Sequence, residues 1–376
     1  MLGFPSMEEL GMPTRKKFLE NVSITQVAQS AGVSIQTVSN VLNSPEKVTE
    51  KTRLKVMKVV ESLGYTPNSA ARSLRSAKSS SLAVRIDSSS NDGPRKGLYA
   101  GFIQDEFVYQ LTKASESRGI KVVPYTADSH EAEIEKLRIL LKSKEVDGLI
   151  LTSTIDVDPR LDLVTLHQIP FITFGRPWGA KNLYSTQHPW VDVDGSFGTN
   201  LATKMFLDKK ITNIGFIGWG FPKHKDSEPQ NVGEDRYLGW LNAMQSHIKS
   251  LKTSTLEART VFGNESVEDG RKAIRELHKK FPSVEAVVCA SDSLALGALL
   301  ESKNIGITSL EVSGFDNNPV SQEFGFTSLD QNLRQVAKSS FEVLMGEEGN
   351  QIRQVDFANE STKAHILLRP ALISRF

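Results

Sequence analysis

The sequence predicts two architectures in one chain: a small all-α headpiece with a hinge helix, followed by a large α/β core. Between residues 23 and 63, apolar residues recur at helical spacing and are framed by capping residues. From residue 82 onward, short apolar runs alternate with helical stretches, a pattern typical of parallel sheets covered by helices. A chain of 376 residues is long enough to hold both parts.

The first headpiece helix is predicted to begin at Ser23. Ser23 and Gln26 have the S-x-x-Q spacing of a capping box, which satisfies two backbone donors at a helix start. An apolar stripe at helical spacing follows, made of Ile24, Val27, Ala28 and Ala31. Gly32 can adopt the left-handed conformation that ends a helix in a tight turn.

A second helix is predicted to begin at Ser34. Its outward N-terminal face carries small polar and β-branched side chains, namely Ile35, Gln36, Thr37 and Asn40. Gln and Asn can bond adenine bidentately, and the methyl groups of Ile and Thr can contact thymine. Two short helices joined by a glycine-containing turn therefore predict a DNA-reading helix-turn-helix. The alternative is a surface helical hairpin without a partner.

A third helix is predicted from Thr49 to about Leu63, with Gly64 as its stop. We expect its buried side to consist of Leu54, Val56, Val59, Val60 and Leu63. The segment from Asn68 to Leu74 is far shorter than the ~12–15 residues at which an isolated helix is stable in water. We expect it to fold only when something stabilises it.

The charge distribution favours a nucleic-acid partner for the headpiece alone. The whole chain has a formal net charge of +1, whereas residues 23–80 hold eight basic residues against three acidic ones. This excess confines the DNA-facing charge to the headpiece. We expect residues 1–22 to form a disordered arm, whose basic Arg15-Lys16-Lys17 run is compatible with contact to phosphates.

These residues resemble the headpiece of the lactose-repressor/galactose-repressor (LacI/GalR) family of transcriptional regulators. The agreement has no gap and includes Ala31-Gly32-Val33-Ser34, Thr37-Val38-Ser39 and Gly64-Tyr65-x-Pro67-Asn68. With the reading face above, the resemblance implies DNA contacts from Thr25, Ser34, Ile35, Gln36, Thr37, Asn40, Asn43, Thr49, Thr52, Tyr65, Asn68, Ala71 and Leu74. It implies a hinge helix in the minor groove, with Leu74 wedged into a base step. The alternative for Leu74 is a linker residue packed on the next domain.

The expected domain bounds follow from these segments: a headpiece over 23–66, a hinge helix and linker over 67–81, and a core over 82–376. The core is too long for one sheet, and two Rossmann-like subdomains would fit. The resemblance implies a periplasmic-binding-protein-like core with three crossovers, which we place near Gln187, Asn317 and Gly349. The N-subdomain would then cover about 82–187 and 318–349, and the C-subdomain about 188–317 and 350–376.

Ligands in open α/β sheets bind beyond the carboxyl ends of strands, so polar residues near those ends are candidate effector contacts. The candidates near strand ends are Asp87, Arg176, Trp190, Trp219, Ser291 and Asp316. Three stretches resemble family motifs, namely Arg236-Tyr237-x-Gly239-Trp240, Ser291-Asp292-x-x-Ala295-x-Gly297 and Gly314-Phe315-Asp316. The resemblance implies effector contacts for Arg236 and Gln331.

The candidate side chains suit a carbohydrate. Carboxylates, amides and an arginine can bond hydroxyl groups, while a tryptophan face stacks on the apolar face of a sugar ring. Asp194 and Asp292 are equally compatible with helix N-caps, and we expect Trp240 in the core. Gly175 stands where the family often has Asp, which removes an acceptor and is expected to leave room for a larger sugar.

Other function classes fit less well. The seven histidines contain no H-x-x-x-H pair, and neither a G-x-S-x-G motif nor a phosphate-binding glycine loop is present. We therefore expect no catalytic centre, metal or cofactor. Cys289 lies in an apolar run and is expected to be buried, without a disulfide, as in a reducing cytoplasm. The headpiece, and the absence of an apolar signal segment or membrane span, disfavour an extracytoplasmic sugar-binding transport protein.

The expected partners are a pseudopalindromic operator, a small sugar and a second copy of the chain, because one headpiece covers only a half-site. No leucine heptad follows Leu368, so a tetramerising tail is not expected. The predicted function is repression of carbohydrate-utilisation genes under the control of a sugar. The sequence leaves open whether the effector induces or corepresses. The alternative is a regulator of the same fold that is controlled by a purine or by a phosphoprotein corepressor.

Overall fold

A computed structural model divides the chain into two compact units, Met1–Lys78 and Ser79–Phe376. It describes residues 22–65, 81–86, 102–127, 129–155, 157–180, 182–186, 188–219, 231–248, 253–307, 309–346, 352–353, 355 and 364–375. Four predicted contacts lie outside these residues, namely Asn68, Ala71, Leu74 and Asp87. The same holds for residues 1–21 of the predicted arm and for most of the predicted hinge and linker.

Three helices form the headpiece: α1 Ile24–Ala31, α2 Ile35–Asn43 and α3 Glu50–Leu63, with a 3-10 turn at Pro45–Lys47. The capping box is confirmed, because Ser23 Oγ accepts from the Gln26 amide and Gln26 Oε1 accepts from the Ser23 amide. Gly32 and Gly64 have φ of 58° and 61° and end α1 and α3 in the left-handed conformation.

The headpiece core is small, and the predicted buried side of α3 is only partly right. The buried residues are Val27, Ala28, Ala31, Val38, Val41 and Val56. Leu54 is 59% exposed and Leu63 37% exposed. Leu54 precedes Val56 by two residues, which places it roughly 200° around the helix at 3.6 residues per turn. Leu63 shares the side of Val56 but is the last residue of α3.

The core contains ten helices and twelve strands within the described residues. The helices are α4 Phe102–Glu116, α5 His130–Lys142, α6 Pro159–Leu166, α7 Gly195–Asp208, α8 Val232–His247, α9 Thr253–Glu257, α10 Val267–Lys280, α11 Asp292–Asn304, α12 Pro319–Glu323 and α13 Leu333–Met345. The strands are β1 Ser81–Arg85, β2 Lys121–Tyr125, β3 Gly148–Leu151, β4 Phe171–Phe174, β5 Trp190–Val193, β6 Ile214–Trp219, β7 Thr260–Gly263, β8 Ala286–Cys289, β9 Glu311–Ser313, β10 Ser328–Asp330, β11 His365–Leu368 and β12 Ala371–Ile373.

Two parallel sheets organise this core, as the alternation in the sequence predicts. The first has the strand order β11-β5-β4-β3-β1-β2, and the second has the order β7-β6-β8-β9. β10 and β12 form an antiparallel pair, and a bridge between Thr327 and Ser313 joins the pair to the edge of the second sheet. Many strands are buried along their whole length, as expected of sheets with helices on both faces.

The first predicted crossover, near Gln187, lies too early. β5 pairs with β4 in the first sheet, so the chain leaves the N-subdomain only after Val193. It then enters α7, which packs on α8 in the C-subdomain. The apolar run of β5 would suit either sheet, and only its pairing partner decides to which sheet it belongs.

The other two crossovers also lie later than predicted. β10 stays with the second sheet and α13 packs on α4, β4 and β5, so the second crossover is near Gln331 rather than Asn317. β11 joins the first sheet and β12 pairs with β10, so the third is near Arg369 rather than Gly349. Among the described residues, those from 81 to 193 and from 333 to 368 therefore belong to the N-subdomain, and those from 195 to 330 and from 371 to 375 belong to the C-subdomain. No helix in the described part of the chain is long and apolar enough to cross a membrane.

Candidate functional site

The start of α2 forms an exposed polar surface on the headpiece. Ile35 and Gln36 are exposed, and Thr37 and Asn40 are half-buried. Gln36 Nε2 donates to Asn40 Oδ1 at 3.0 Å, so the two amides lie one turn apart on the same side of the helix. Both side chains can reach one partner surface, as base reading requires.

Two of the predicted DNA contacts are also helix caps. Ser34 Oγ accepts from the Thr37 amide at 3.1 Å, and the two hydroxyls are 2.9 Å apart. Thr49 and Thr52 repeat this arrangement at the start of α3, with their hydroxyls 2.9 Å apart. A helix N-terminus with exposed hydroxyls favours an anion such as a phosphate.

The remaining predicted headpiece contacts occupy different places. Thr25 is exposed in the first turn of α1, and Asn43 is the last residue of α2. Tyr65 is half-buried and packs against the headpiece core.

A cleft of about 200 Å³ lies in the core at the carboxyl ends of strands from both sheets. The N-subdomain contributes Ile103, Gln104, Thr152, Ser153, Thr154, Phe174, Gly175, Trp178, Asp192 and Val193. The C-subdomain and the second crossover contribute Trp219, Val232, Asp235, Arg236, Glu265, Asp316 and Gln331. Of the eight predicted effector contacts, this cleft brings together Trp219, Arg236, Asp316 and Gln331.

Arg236 forms the centre of the C-subdomain wall. Its guanidinium lies 3.7 Å from the centroid of the Phe315 ring and 5.5 Å from that of Trp219. Arg236 NH1 donates to Ala290 O and is 3.7 Å from Asp316 Oδ1. Its buried Nε has no hydrogen-bond partner among the described residues. An unsatisfied buried donor is costly, and a ligand hydroxyl that accepted from it would offset that cost.

Asp316 supplies an acceptor beside Arg236. Its Oδ1 accepts from Gln331 Nε2 at 2.7 Å. Burial raises the pKa of Asp316 to about 7, against the opposing effect of the Arg236 charge. Its φ of 121° is rarely adopted by residues other than glycine, and backbone strain of this kind is common at ligand sites. Carboxylate, amide and guanidinium thus form a mixed acceptor and donor edge that suits hydroxyl groups.

Ser291 and Asp292 support this wall without lining the cleft. Ser291 is fully buried, and its hydroxyl caps α11, so the structure does not place it as an effector contact. Asp292 accepts from the Asn318 amide at 2.8 Å and from Ser328 Oγ at 2.6 Å. Because these bonds flank Asp316, they hold its loop in place. The N-cap interpretation is therefore wrong for Asp292.

Arg176 lies behind the cleft, although we predicted that it contacts the effector. Its Nε donates to Asp192 Oδ2 at 2.6 Å, and its NH2 donates to Asp235 Oδ2 at 3.2 Å. Burial raises the pKa of Asp235 to about 6, while the charge of Arg176 lowers it. Asp192 belongs to the N-subdomain and Asp235 to the C-subdomain, so Arg176 forms an ion pair with each of the two subdomains.

Trp190 is a core residue, so the prediction that it contacts the effector is not met. It is fully buried at the first position of β5, whereas the cleft lies at the opposite end of that strand. Its ring stacks on His365 at 5.3 Å, and its Nε1 donates to Leu183 O. Trp240 is fully buried, which confirms the expectation for it. Asp194 is an N-cap, because it accepts from the Phe197 amide.

The space expected beside Gly175 is already occupied. A Cβ at Gly175, whose φ is 129°, would lie 2.2 Å from Thr154 Oγ1. The Thr154 hydroxyl therefore fills the position where we expected room for a larger sugar.

Several residues that line the cleft were missed by sequence reasoning. They are mainly Gln104, Ser153, Asp235 and Glu265. Glu265 follows β7, a strand that the pattern did not reveal, and Gln104 lies in the first turn of α4, where no strand ends. Asp235 precedes Arg236 directly, so a motif-based search could have found it. Within the described residues, no cluster of His, Cys, Asp or Glu could hold a metal ion.

Comparison with known proteins agrees with this combination of a DNA-reading headpiece and a ligand-binding core. Residues 23–68 match the family described as bacterial regulatory proteins of the lacI family. Residues 100–347 match the family of periplasmic binding proteins and the sugar-binding domain of the LacI family.

Individual relatives agree with these matches. The transcriptional regulator RegA of Clostridium saccharobutylicum is 31% identical over 79% of this chain and 82% of its own length. The structure of the transcriptional regulator CelR in complex with cellobiose has a TM-score of 0.63 and 25% identity, covering 94% of this chain and 99% of that one. The lac repressor dimer bound to operator has a TM-score of 0.67 at 21% identity, over 95% and 98% of the two chains, and shows the same fold.

The chain is thus a helix-turn-helix regulator with a periplasmic-binding-type core. It belongs to the LacI family of bacterial regulatory proteins.

Proposed function

We propose that this chain represses carbohydrate-utilisation genes, and that a small sugar bound in the core cleft controls its binding to an operator. The observation that carries the proposal is the wall formed by Arg236, Asp316 and Gln331 beside Trp219. A donor and acceptor edge next to an aromatic face suits a ring that bears hydroxyls on its rim and C–H groups on its faces. The relative solved with cellobiose supports the same ligand class.

The operator would be read by two headpieces of a homodimer. The reading face of α2 spans little more than two turns, which is enough for one half-site only. Two-fold symmetry supplies the second half-site, and the operator is accordingly a pseudopalindrome. The relative solved as a dimer on its operator supports this arrangement.

The sugar would act by changing the relative orientation of the two subdomains. Arg176 bridges Asp192 in one subdomain and Asp235 in the other, directly behind the cleft. A ligand that favours one orientation by a few kcal/mol is sufficient to shift the population of DNA-competent protein. We propose that the effector induces, and that the protein acts in the cytoplasm without catalysing a reaction.

The test is an operator-release titration. An operator selected from random duplexes is labelled, and fluorescence anisotropy is followed while cellobiose, maltose, galactose, glucose or a purine base is added. We expect one sugar to release the operator. Without DNA, the same sugar should change the intrinsic tryptophan fluorescence, because Trp178 and Trp219 both line the cleft. Release by a purine base and by none of the sugars would replace the sugar proposal with the purine alternative. Tighter operator binding with sugar would reverse the proposed direction of control.

A further inference from the structure

A buried ionic network lies beside the cleft, at the carboxyl edge of the first sheet. It contains Arg85 at the end of β1, Tyr125 at the end of β2, Glu133 in α5, and Asp158 and Arg160 at the start of α6. Glu133 and Arg160 are both 0% exposed. None of these residues lines the cleft described above.

All three guanidinium nitrogens of Arg160 donate hydrogen bonds to carboxylates of this network. Nε and NH2 donate to Asp158 at 2.9 and 2.6 Å, and NH1 donates to Glu133 Oε2 at 2.9 Å. Glu133 also accepts from Tyr125 Oη and Arg85 NH1, both at 2.8 Å. The guanidinium is planar and rigid, so its remaining hydrogen bond has a defined direction.

That remaining bond reaches the cleft. Arg160 NH2 donates to Ser153 O at 3.3 Å, and Gln104 Nε2 donates to Ser153 Oγ at 2.9 Å. Ser153 has φ 53°, a left-handed conformation that a serine keeps only when its surroundings hold it there. The loop Thr152–Thr154 forms part of the cleft wall, and Thr152 Oγ1 is buried without a hydrogen-bond partner in the described part of the chain.

A gain in stability alone does not account for this network. Removing charges from water costs about as much as their attraction returns, and buried ion pairs can often be replaced by apolar residues without loss. A network of this kind is better explained by the geometry that it imposes.

We propose that Arg160 is a positioning residue for the effector: through Ser153 O, the buried network holds the loop Thr152–Thr154 in its ligand-ready conformation. The functional part of this inference rests on the proposed sugar-binding function. The hold on the loop does not depend on which ligand the cleft binds.

The chain offers a matched pair of variants, Arg160→Lys and Arg85→Lys. Each keeps one buried positive charge beside Glu133, but a lysine at position 160 cannot serve Asp158, Glu133 and Ser153 O together. Loop position is measured by placing a thiol in the loop with Ser153→Cys and timing its reaction with a thiol reagent. The single native cysteine, Cys289, is buried, so it contributes little to the signal.

In the Ser153→Cys background, we expect Arg160→Lys to speed labelling about tenfold, the effect of losing one charged hydrogen bond. Arg85→Lys should remain near the parent rate. With Ser153 intact, Arg160→Lys should weaken cellobiose binding by about the same factor. Equal labelling rates in the two lysine variants would overturn the proposal, whatever the sugar result.

The two proposals can fail separately. If the parent binds neither cellobiose nor any other sugar of the panel, sugar control fails, while the labelling rates still decide whether Arg160 holds the loop. If Arg160→Lys does not fold, Asp158→Asn takes its place. This variant weakens the ion pair that orients the Arg160 guanidinium, and it keeps an oxygen that can accept from the Arg160 backbone amide and cap α6. A parent labelling rate in that variant would also overturn the proposal.

Discussion

The reading face of α2 and the core cleft solve the same problem, recognition of a polar ligand, in opposite ways. On α2 the polar groups are exposed or half-buried and come from neighbouring turns of one helix, with Gln36 and Asn40 bonded to each other. In the cleft they are buried, and they come from helices, strand ends and a crossover spread between Gln104 and Gln331.

The difference has an energetic consequence. A hydrogen bond made by an exposed amide contributes little net free energy, because water competes for the same donor and acceptor. A buried carboxylate or guanidinium has no such alternative, and removal of its partner leaves an uncompensated group. Substitutions in the cleft should therefore reduce sugar affinity more than substitutions on the reading face reduce operator affinity.

The largest effect is expected for Arg236→Ala. This change removes the donor beside Asp316 and leaves that carboxylate with Gln331 as its partner at 2.7 Å. We expect sugar affinity to fall about 100-fold, the size of losing a charged, desolvated contact. Operator affinity without sugar should stay at the parent value. The measurement is calorimetry with the sugar found in the release titration.

Arg275→Ala is the matched control, because Arg275 is exposed and pairs with Glu301 outside the cleft. It should keep the parent's sugar affinity. If Arg236→Ala protein still released the operator at the parent's sugar concentration, the cleft would not be the effector site.

Gln36→Ala is expected to have the next largest effect. It should weaken binding to the selected operator by about 1–3 kcal/mol and relax preference at one base pair. Binding to random duplex should change little. Lys55 is exposed on α3, and Lys55→Ala should reduce the affinity for every DNA sequence equally, if it has any effect. Equal losses of Gln36→Ala on operator and random DNA, measured by anisotropy at fixed salt, would remove α2 as the reading helix.

A different kind of effect should appear in the pH dependence of stability. The pKa of Asp316 rises from 3.8 to about 7 on folding, so the folded state binds this proton more tightly. Between about pH 4 and pH 7 this group makes the free energy of unfolding fall as pH rises. Asp316→Asn should remove that contribution and reduce the one from Asp292, because the charge of Asp316 helps to raise the pKa of Asp292, whereas the contribution of Asp235 remains. Urea titrations of both proteins across this pH range would measure the difference. If the free energy of unfolding of the two proteins changed with pH in parallel, the raised pKa of Asp316 would be contradicted.

The smallest effect is expected for the coupling between Gln36 and Asn40 on DNA. Because the two amides share a hydrogen bond, Gln36→Ala, Asn40→Ala and the double variant should be non-additive by about 0.5 kcal/mol. A double-mutant cycle on the selected operator measures this coupling. Strict additivity would mean that the two residues contact their bases independently.

The two regions differ in how much of their structure follows from nearby residues. In the headpiece, caps, stripes and stops lie within a few residues of each other, so Ser23, Gly32 and Gly64 could be placed correctly. In the cleft, Arg236 could be placed because its motif opens a helix, and Asp316 because its motif follows a strand. Arg176 was also near a strand end, but its two carboxylate partners come from elsewhere in the chain and turn it away from the cleft.

The sequence by itself therefore determined the alternation of strands and helices in the core and the capping of the headpiece helices, because these depend on neighbouring residues. Only the tertiary structure decided that β5 and β11 belong to the first sheet, that Trp190 packs in the core, and that Arg160 reaches Ser153. A buried strand or a buried charge satisfies its backbone or its partner across long sequence distances, and local spacing carries no information about which partner that is.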